Sequence, residues 1–297
     1  VIILLVVSIN PKTEFTASTK LMRSGGEDKI AFVRLNGEIV QMADDSFVGF
    51  NPFVITPYRT RNLVADLKKD NTIKAVVIKI NSPGGSVVAS EEIYQQFKSL
   101  SQDKTLIIDF GDVAASGGYY VATAADKIMA SRASLTGSIG VIMFSPDFSG
   151  LYEKVGVDIS TYKSGQFKDI GTPNRAATEK EAKILQSLVR DSYQLFLDRV
   201  AQEREIEPER LKQLADGRVF SGQQAYENGL IDEIGTVDDA IDLAAQEAGL
   251  TKPSVVEYTY GGGFFGGLIQ SKMTTLLPSS QLDSLMPRKV GLYYLWE

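Results

Sequence analysis

Between residues 29 and 130, short β-branched runs alternate with segments of helical periodicity, which confines the chain to a small set of folds. Lys29 to Val40 (KIAFVRLNGEIV) reads as a strand with a turn at Asn36-Gly37. Arg59 to Lys69 carries Leu63, Val64 and Leu67 at helical spacing. Ile73 to Ile80 is a strand, Ala89 to Leu100 a helix and Thr105 to Phe110 a strand. Ser116 to Ala125 reads as a helix opening on a glycine pair, followed by a short strand, Lys127 to Ala130. Thr178 to Arg204 is a long amphipathic helix, with Thr178 as N-cap and Glu181 completing a capping box. Val237 to Ala248 adds a helix and Ser254 to Tyr260 a strand. The expectation is an α/β fold around a largely parallel sheet.

Two absences limit the chemistry. Among 297 residues there is no cysteine and no histidine. A cysteine nucleophile, a Ser-His-Asp triad and metal centres built on His or Cys are therefore excluded. A hydrolase of this composition needs Lys, Asp, Glu, Tyr or an α-amine as its general base. A net charge of −6, with both signs spread along the chain and no basic cluster, speaks against nucleic acid as a partner.

Val1 to Ile9 is almost wholly apolar but too short for a bilayer, which needs about 20 residues. It reads as the outer end of an N-terminal transmembrane anchor; a buried first strand and a signal-peptide remnant are the alternatives. Residues 10–28 read as a linker, 29–260 as the main domain, and 261–297 as a Gly-rich break (GGGFFGG) with an aromatic tail.

Four segments could carry chemistry. Asn81-Ser-Pro-Gly-Gly-Ser86 follows a strand and precedes a helix. Its glycines could turn bare N–H groups toward an oxyanion, or make no more than a tight turn. It is not a P-loop, since no Gly-Lys-Ser/Thr follows. Asp112-Val-Ala-Ala-Ser-Gly-Gly-Tyr-Tyr120 sets Ser116 at a helix start, as a nucleophile beside the Gly117 N–H or as an ordinary N-capping serine. Thr136-Gly-Ser-Ile-Gly-Val141 is a small-residue turn whose Ser138 could bond a neighbouring amine. Tyr162-Lys-Ser-Gly-Gln-Phe-Lys-Asp-Ile-Gly171 offers Lys163 and Lys168. A lysine base must be neutral, which requires apolar surroundings; the alternative for either is a solvated surface charge.

In this order, NSPGG, AASGGYY, LTGSIGV, YKSGQFKDIG and the later ADGRVFSGQQAYENGLIDEIG (Ala215 to Gly235) resemble the signal peptide peptidase A family of serine peptidases, within the Clp-crotonase superfamily. The resemblance covers roughly residues 29–260. It implies a Clp/crotonase-like fold of repeated β-β-α units, with one catalytic domain per chain. It makes Ser116 the nucleophile and Lys168 the general base, with Lys163 as the fallback. Ser138 becomes the residue that positions the lysine amine, and Gly85 and Gly117 the oxyanion donors. It further implies a homo-oligomeric ring, commonly of eight, in which Ser116 and Lys168 need not meet within one chain. The expected substrates are cleaved signal peptides and other extended apolar peptides, with no metal or cofactor. The expected location is the cell membrane, with the catalytic domain on the extracytoplasmic side.

Two other readings compete. One is an acyl-CoA hydratase or isomerase of the same superfamily; the other is a catalytically silent membrane scaffold. The tail from Met286 to Glu297 could lie extended in the substrate groove, pack on a neighbouring subunit, or add a strand to its own sheet.

Overall fold

The computed structural model describes residues 18–42, 53–259 and 292–295. The anchor expected at residues 1–9 and the Gly-rich break lie outside them. No helix among the described residues is long and apolar enough to cross a membrane.

The chain begins with β1 (Ser18–Arg23), β2 (Lys29–Asn36), β3 (Glu38–Ile39), β4 (Val54–Ile55) and α1 (Pro57–Lys69). β5 (Ile73–Ser82), β6 (Gly84–Ser86) and α2 (Val87–Ser101) follow, then β7 (Thr105–Ala115) and α3 (Gly117–Ala122). β8 (Lys127–Ala130), β9 (Leu135–Gly137), β10 (Ile142–Met143) and α4 (Ser149–Val155) lead into the long α5 (Glu179–Arg204). α6 (Pro208–Leu214), β11 (Val219–Ser221), α7 (Gly222–Glu227), β12 (Glu233–Ile234), α8 (Val237–Glu247), β13 (Ser254–Thr259) and β14 (Leu292–Leu295) complete the described chain.

The strands form two sheets. The larger runs β1-β13-β2-β5-β7-β8-β12, with β9 on β7 and β11 on β9; the smaller runs β10-β14-β6-β3-β4. In the larger sheet β13, β2, β5, β7, β8, β12 and β9 pair in parallel, and only the β1 and β11 pairings are antiparallel. Twice, a long strand of the large sheet (β2, β5) leads through Gly37 or Pro83 into a short strand of the small sheet (β3, β6), and a helix follows. This is the expected repeated β-β-α unit.

The alternation of side chains along β5 accounts for a core on both faces. Val76, Ile78 and Ile80 pack with α1, α2, α3 and α5 through Leu63, Ile93, Tyr119 and Phe196. Ala75 and Val77 face the other way, with Phe32 and Ile107, and α8 covers them through Ala240, Ile241 and Ala244.

Three boundaries differ from the sequence reading. Ser18–Arg23, inside the expected linker, is an edge strand antiparallel to β13. Residues 19–23 are exposed, and STKLMR lacks the apolar alternation that marks a half-buried strand. β7 runs five residues beyond Phe110, to the residue before Ser116. The helix after Ser116 is six residues long and stops at Ala122.

Candidate active site

Ser116 stands where β7 ends, and several contacts fix that end. Between Ile80 and Ser82 of β5, the partner strand advances from Phe110 to Ala114, so β7 carries a bulge. The Asn81 side chain accepts from the Val113 N–H (3.0 Å). The hydroxyls of Ser134 and Thr136 donate to the carbonyls of Gly111 and Ala114, each at 2.7 Å. Past the bulge β7 pairs with β9, Ala115 opposite Gly137. The Ser116 N–H then donates to the Gly137 carbonyl (2.8 Å), and the Ser116 carbonyl accepts from Tyr120 (2.8 Å).

Held so, Ser116 adopts φ +53° and ψ −116°, a conformation that L residues rarely occupy. It sits at the N-cap position of α3, yet its side chain makes no capping bond. The residue is 1% exposed, and its Oγ has no hydrogen-bond partner among the described residues. An ordinary N-capping serine would spend its hydroxyl on the helix. Because α3 is short, what it offers a negative charge comes from its first N–H groups, not from a long macrodipole.

Glycines surround the hydroxyl. Gly84 (φ +96°) and Gly85 (φ +153°) both take conformations that favour glycine. A Cβ on Gly85 would meet the Ile39 carbonyl at 1.9 Å, and one on Gly117 would meet Ser90 Oγ at 2.6 Å. A Cβ on Gly84 would come within 2.6 Å of the Gly117 nitrogen and 2.1 Å of the Tyr294 carbonyl oxygen. Thus β6 and the start of α3 meet at a surface of bare backbone, and a carbonyl from β14 is set against it.

β14 lies antiparallel between β6 and β10, with Tyr294 opposite Gly85 and Tyr293 opposite Ile142. Within the tail, Leu292–Leu295 therefore adds a strand to its own small sheet, and that strand runs beside the candidate nucleophile. Tyr294 is fully buried; its ring stacks on Tyr120 (5.1 Å) and tilts against Phe196 (4.6 Å). Leu295 helps to line a cavity of about 610 Å³ with Ser138, Val141, Phe144, Arg190 and Tyr193.

Ser138 is buried at φ +49°, and its N–H donates to the Arg218 carbonyl (2.8 Å). The two candidate lysines are not brought to Ser116, whose Oγ bonds neither. Lys168 is exposed and makes no ion pair among the described residues. Lys163 Nζ donates to Asp169 Oδ1 at 2.6 Å, so its ammonium is directed to a carboxylate. Bonds from Lys163 and then Arg175 hold the Asp169 carboxyl below its ordinary range. Arg175 also grips Glu181 at 2.8 and 2.7 Å, which ties this segment to the start of α5. The same segment leaves Val157, Ile159, Tyr162 and Phe167 exposed. Within one chain the Ser116 hydroxyl therefore bonds neither lysine, and charged side chains tie the lysine segment to α5.

Sequence reasoning missed what lies beneath the site. The Tyr120 hydroxyl bonds Glu91; Arg199 bonds Glu91 (3.3 Å) and lies over the Tyr94 ring (4.1 Å to its centre). The signal available was the tyrosine pair directly after Ser116-Gly-Gly, in a helix buried on every side.

Comparison with known proteins gives this geometry a family. The model of Peptidase family S49 matches residues 98–251, which include Ser116, Ser138, Lys163 and Lys168 but not Gly85. An Enterococcus faecium protein assigned as a signal peptide peptidase SppA is 39% identical over 249 residues, 82% of this chain and 71% of that protein. The chloroplastic serine protease SPPA of Arabidopsis thaliana is 34% identical over 228 residues, 76% of this chain and 33% of that protein. Protease 4 of Haemophilus influenzae is 33% identical over 221 residues, 74% of this chain and 35% of that protein. Among solved structures, a ClpP1 variant from Listeria monocytogenes is similar at a TM-score of 0.46 and 17% identity, over 71% of this chain and 94% of that one. With the family model matching more than half of the chain, and relatives named as a signal peptide peptidase and a serine protease sharing a third or more of their aligned residues, this chain belongs to peptidase family S49 and is a serine-type peptidase.

Proposed function

We propose that the chain is an endopeptidase with a Ser-Lys dyad, in which Ser116 attacks extended apolar peptides such as the remnants of cleaved signal peptides. The observation that carries this reading is the Ser116 hydroxyl, buried and without a partner, at a strained strand end among bare glycine backbones. A neutral lysine amine takes the Oγ proton, and the alkoxide attacks the peptide carbonyl. The N–H groups of Gly85 and Gly117 stabilise the tetrahedral oxyanion. The lysine returns the proton to the leaving amine, and water then clears the acyl-enzyme.

The base is Lys168 of a neighbouring copy, with Ser138 positioning its amine. An Oγ without a partner in one chain fits a site completed from outside. The exposed apolar residues beside Lys168 fit a surface that another copy covers in a ring, commonly of eight. Residues 1–9 would anchor the ring to the cell membrane with its sites on the extracytoplasmic side. In this reading the segment Leu292–Leu295 occupies the groove as a substrate would.

The test is cleavage of a fluorogenic apolar peptide by the full chain and by Ser116→Ala, Lys168→Ala and Lys163→Ala. The first two substitutions should abolish turnover, and the third should leave it. Mixing the Ser116→Ala and Lys168→Ala chains during assembly should restore part of the activity. Cleavage by Ser116→Ala would overturn the nucleophile, and loss with Lys163→Ala alone would move the base. Absence of rescue on mixing would return the dyad to a single chain.

A further inference from the structure

β5 ends beside both halves of the site. Its last two residues are Asn81 and Ser82, and neighbouring side chains of a strand point to opposite faces. Each makes a hydrogen bond that the strand ladder does not supply.

Asn81 serves the nucleophile side. Opposite it β7 carries its extra residues, since the partner of β5 moves from Phe110 at Ile80 to Ala114 at Ser82. Extra strand length leaves N–H groups that the facing backbone does not meet. The Asn81 side chain reaches across and accepts from the Val113 N–H (3.0 Å), three residues before Ser116. A Cβ on Gly111 would meet the Asn81 Cβ at 2.9 Å, so the side chain is also packed against the start of the bulge.

Ser82 serves the oxyanion side. It is fully buried, and its Oγ accepts from the Gly84 N–H (3.1 Å). Two consecutive glycines make a very permissive backbone, whereas donors aimed at a developing charge must be fixed beforehand. Among the described residues no other side chain bonds the Gly84-Gly85 pair. The Ser82 carbonyl lies against the other half of the site: a Cβ on Gly118, in α3, would meet it at 2.8 Å.

We infer that Asn81 and Ser82 are positioning residues for the attack: acting through Val113 and Gly84, they set the spacing between the Ser116 hydroxyl and the Gly85 N–H. Neither touches the reacting atoms. Both bonds leave from adjacent residues of one strand, so a shift of that strand end carries both halves of the site with it and keeps their separation. The inference rests on the proposed peptidase reading for the identity of the attacked group, but the spacing can be probed with a reagent that is not a peptide.

The experiment uses the full chain and its Asn81→Ala, Asn81→Asp and Ser82→Ala variants, each checked for fold by circular dichroism. The rate at which a fluorophosphonate labels Ser116 is measured, together with kcat and KM on a fluorogenic apolar peptide. Both alanine variants should lower the labelling rate and kcat by about tenfold or more and leave KM within about twofold, since misplaced groups cost rate and not binding. Asn81→Asp keeps an acceptor oxygen at the same place and should recover most of the loss. The double variant Asn81→Ala with Ser82→Ala should cost less than the product of the two single losses, because both bonds hold one spacing. Losses confined to KM, or losses that follow melting temperature through all variants, would make the two roles purely structural and overturn the inference. Cleavage and labelling at full rate in both alanine variants would keep the peptidase and overturn the inference. Labelling that slows as expected in a chain that cleaves no peptide would remove the peptidase reading and keep the positioning roles. Failure to label Ser116 in the natural chain would overturn both.

Discussion

The carbonyl oxygen of Tyr294 stands 2.1 Å from the point that a Cβ on Gly84 would occupy, and the Gly117 nitrogen stands 2.6 Å from the same point. No side chain fits between them. Gly84→Ala would push any occupant's carbonyl off the backbone donors, and at φ +96° the substitution is strained as well. We expect it to lower kcat/KM on an apolar peptide by about 100-fold or more, as the loss of an oxyanion contact does. Circular dichroism should report a folded chain. Near-normal turnover would show that the attacked carbonyl lies elsewhere.

The segment Leu292–Leu295 fills the strand position between β6 and β10, which in the proposed reading is where a substrate peptide lies. Ending the chain after Gly267 should therefore raise kcat/KM on short peptides, chiefly by lowering KM. Tyr294→Ala alone should give most of the gain. Unchanged KM in both variants would mean that the segment leaves the groove freely.

Glu181 accepts two bonds from Arg175 and caps Thr178, and these bonds hold its carboxyl well below the ordinary carboxylate range. A folded pKa below the unfolded one adds stability above the unfolded value, and this is lost as pH falls through the folded value. The Tm difference between the natural chain and Glu181→Gln should be full above about pH 5 and shrink below about pH 4, where the unfolded carboxyl takes up its proton. A difference that does not change with pH would mean that the cap and not the charge matters.

Asp109 is 1% exposed in β7 and is met by Lys79 of β5 at 2.7 Å. Burial raises its pKa, and the lysine opposes that rise. Removing one partner of a buried pair leaves the other charge stranded, so Lys79→Ala should destabilise the fold by about 3 kcal/mol in urea unfolding. Lys79→Ala with Asp109→Leu should recover most of that loss. If the double variant is no more stable than the single one, the stranded charge is not the cause.

What could be read without coordinates was whatever depends on near neighbours in the chain. The capping box of Thr178 and Glu181 forms within one turn, and both of its bonds are present. The run Ile73–Ile80, rich in Ile and Val, was legible as a strand, and it lies within β5. The glycine pair at 84 and 85 pointed to unusual backbone, and both glycines take positive φ. The order of the motifs identified the family, and more than half of the chain matches it.

Tertiary structure decided the rest, where the partner is far along the chain. β7 runs on to Ala115 because β9 and the hydroxyls of Ser134 and Thr136 come to meet it; no local propensity specifies that. β1 exists because β13, more than 200 residues later, offers it an edge. Ser116 keeps its hydroxyl free because the bulge and the Gly137 carbonyl hold its backbone in a strained conformation, whereas an isolated helix start would use that hydroxyl as a cap. The placing of the lysine segment was beyond sequence reading, since Arg175 joins Asp169 in it to Glu181 at the start of α5. The sequence determined which groups this peptidase has to work with; packing between distant segments determined which of them are left unpaired, and among the described residues the buried hydroxyl of Ser116 is one of these.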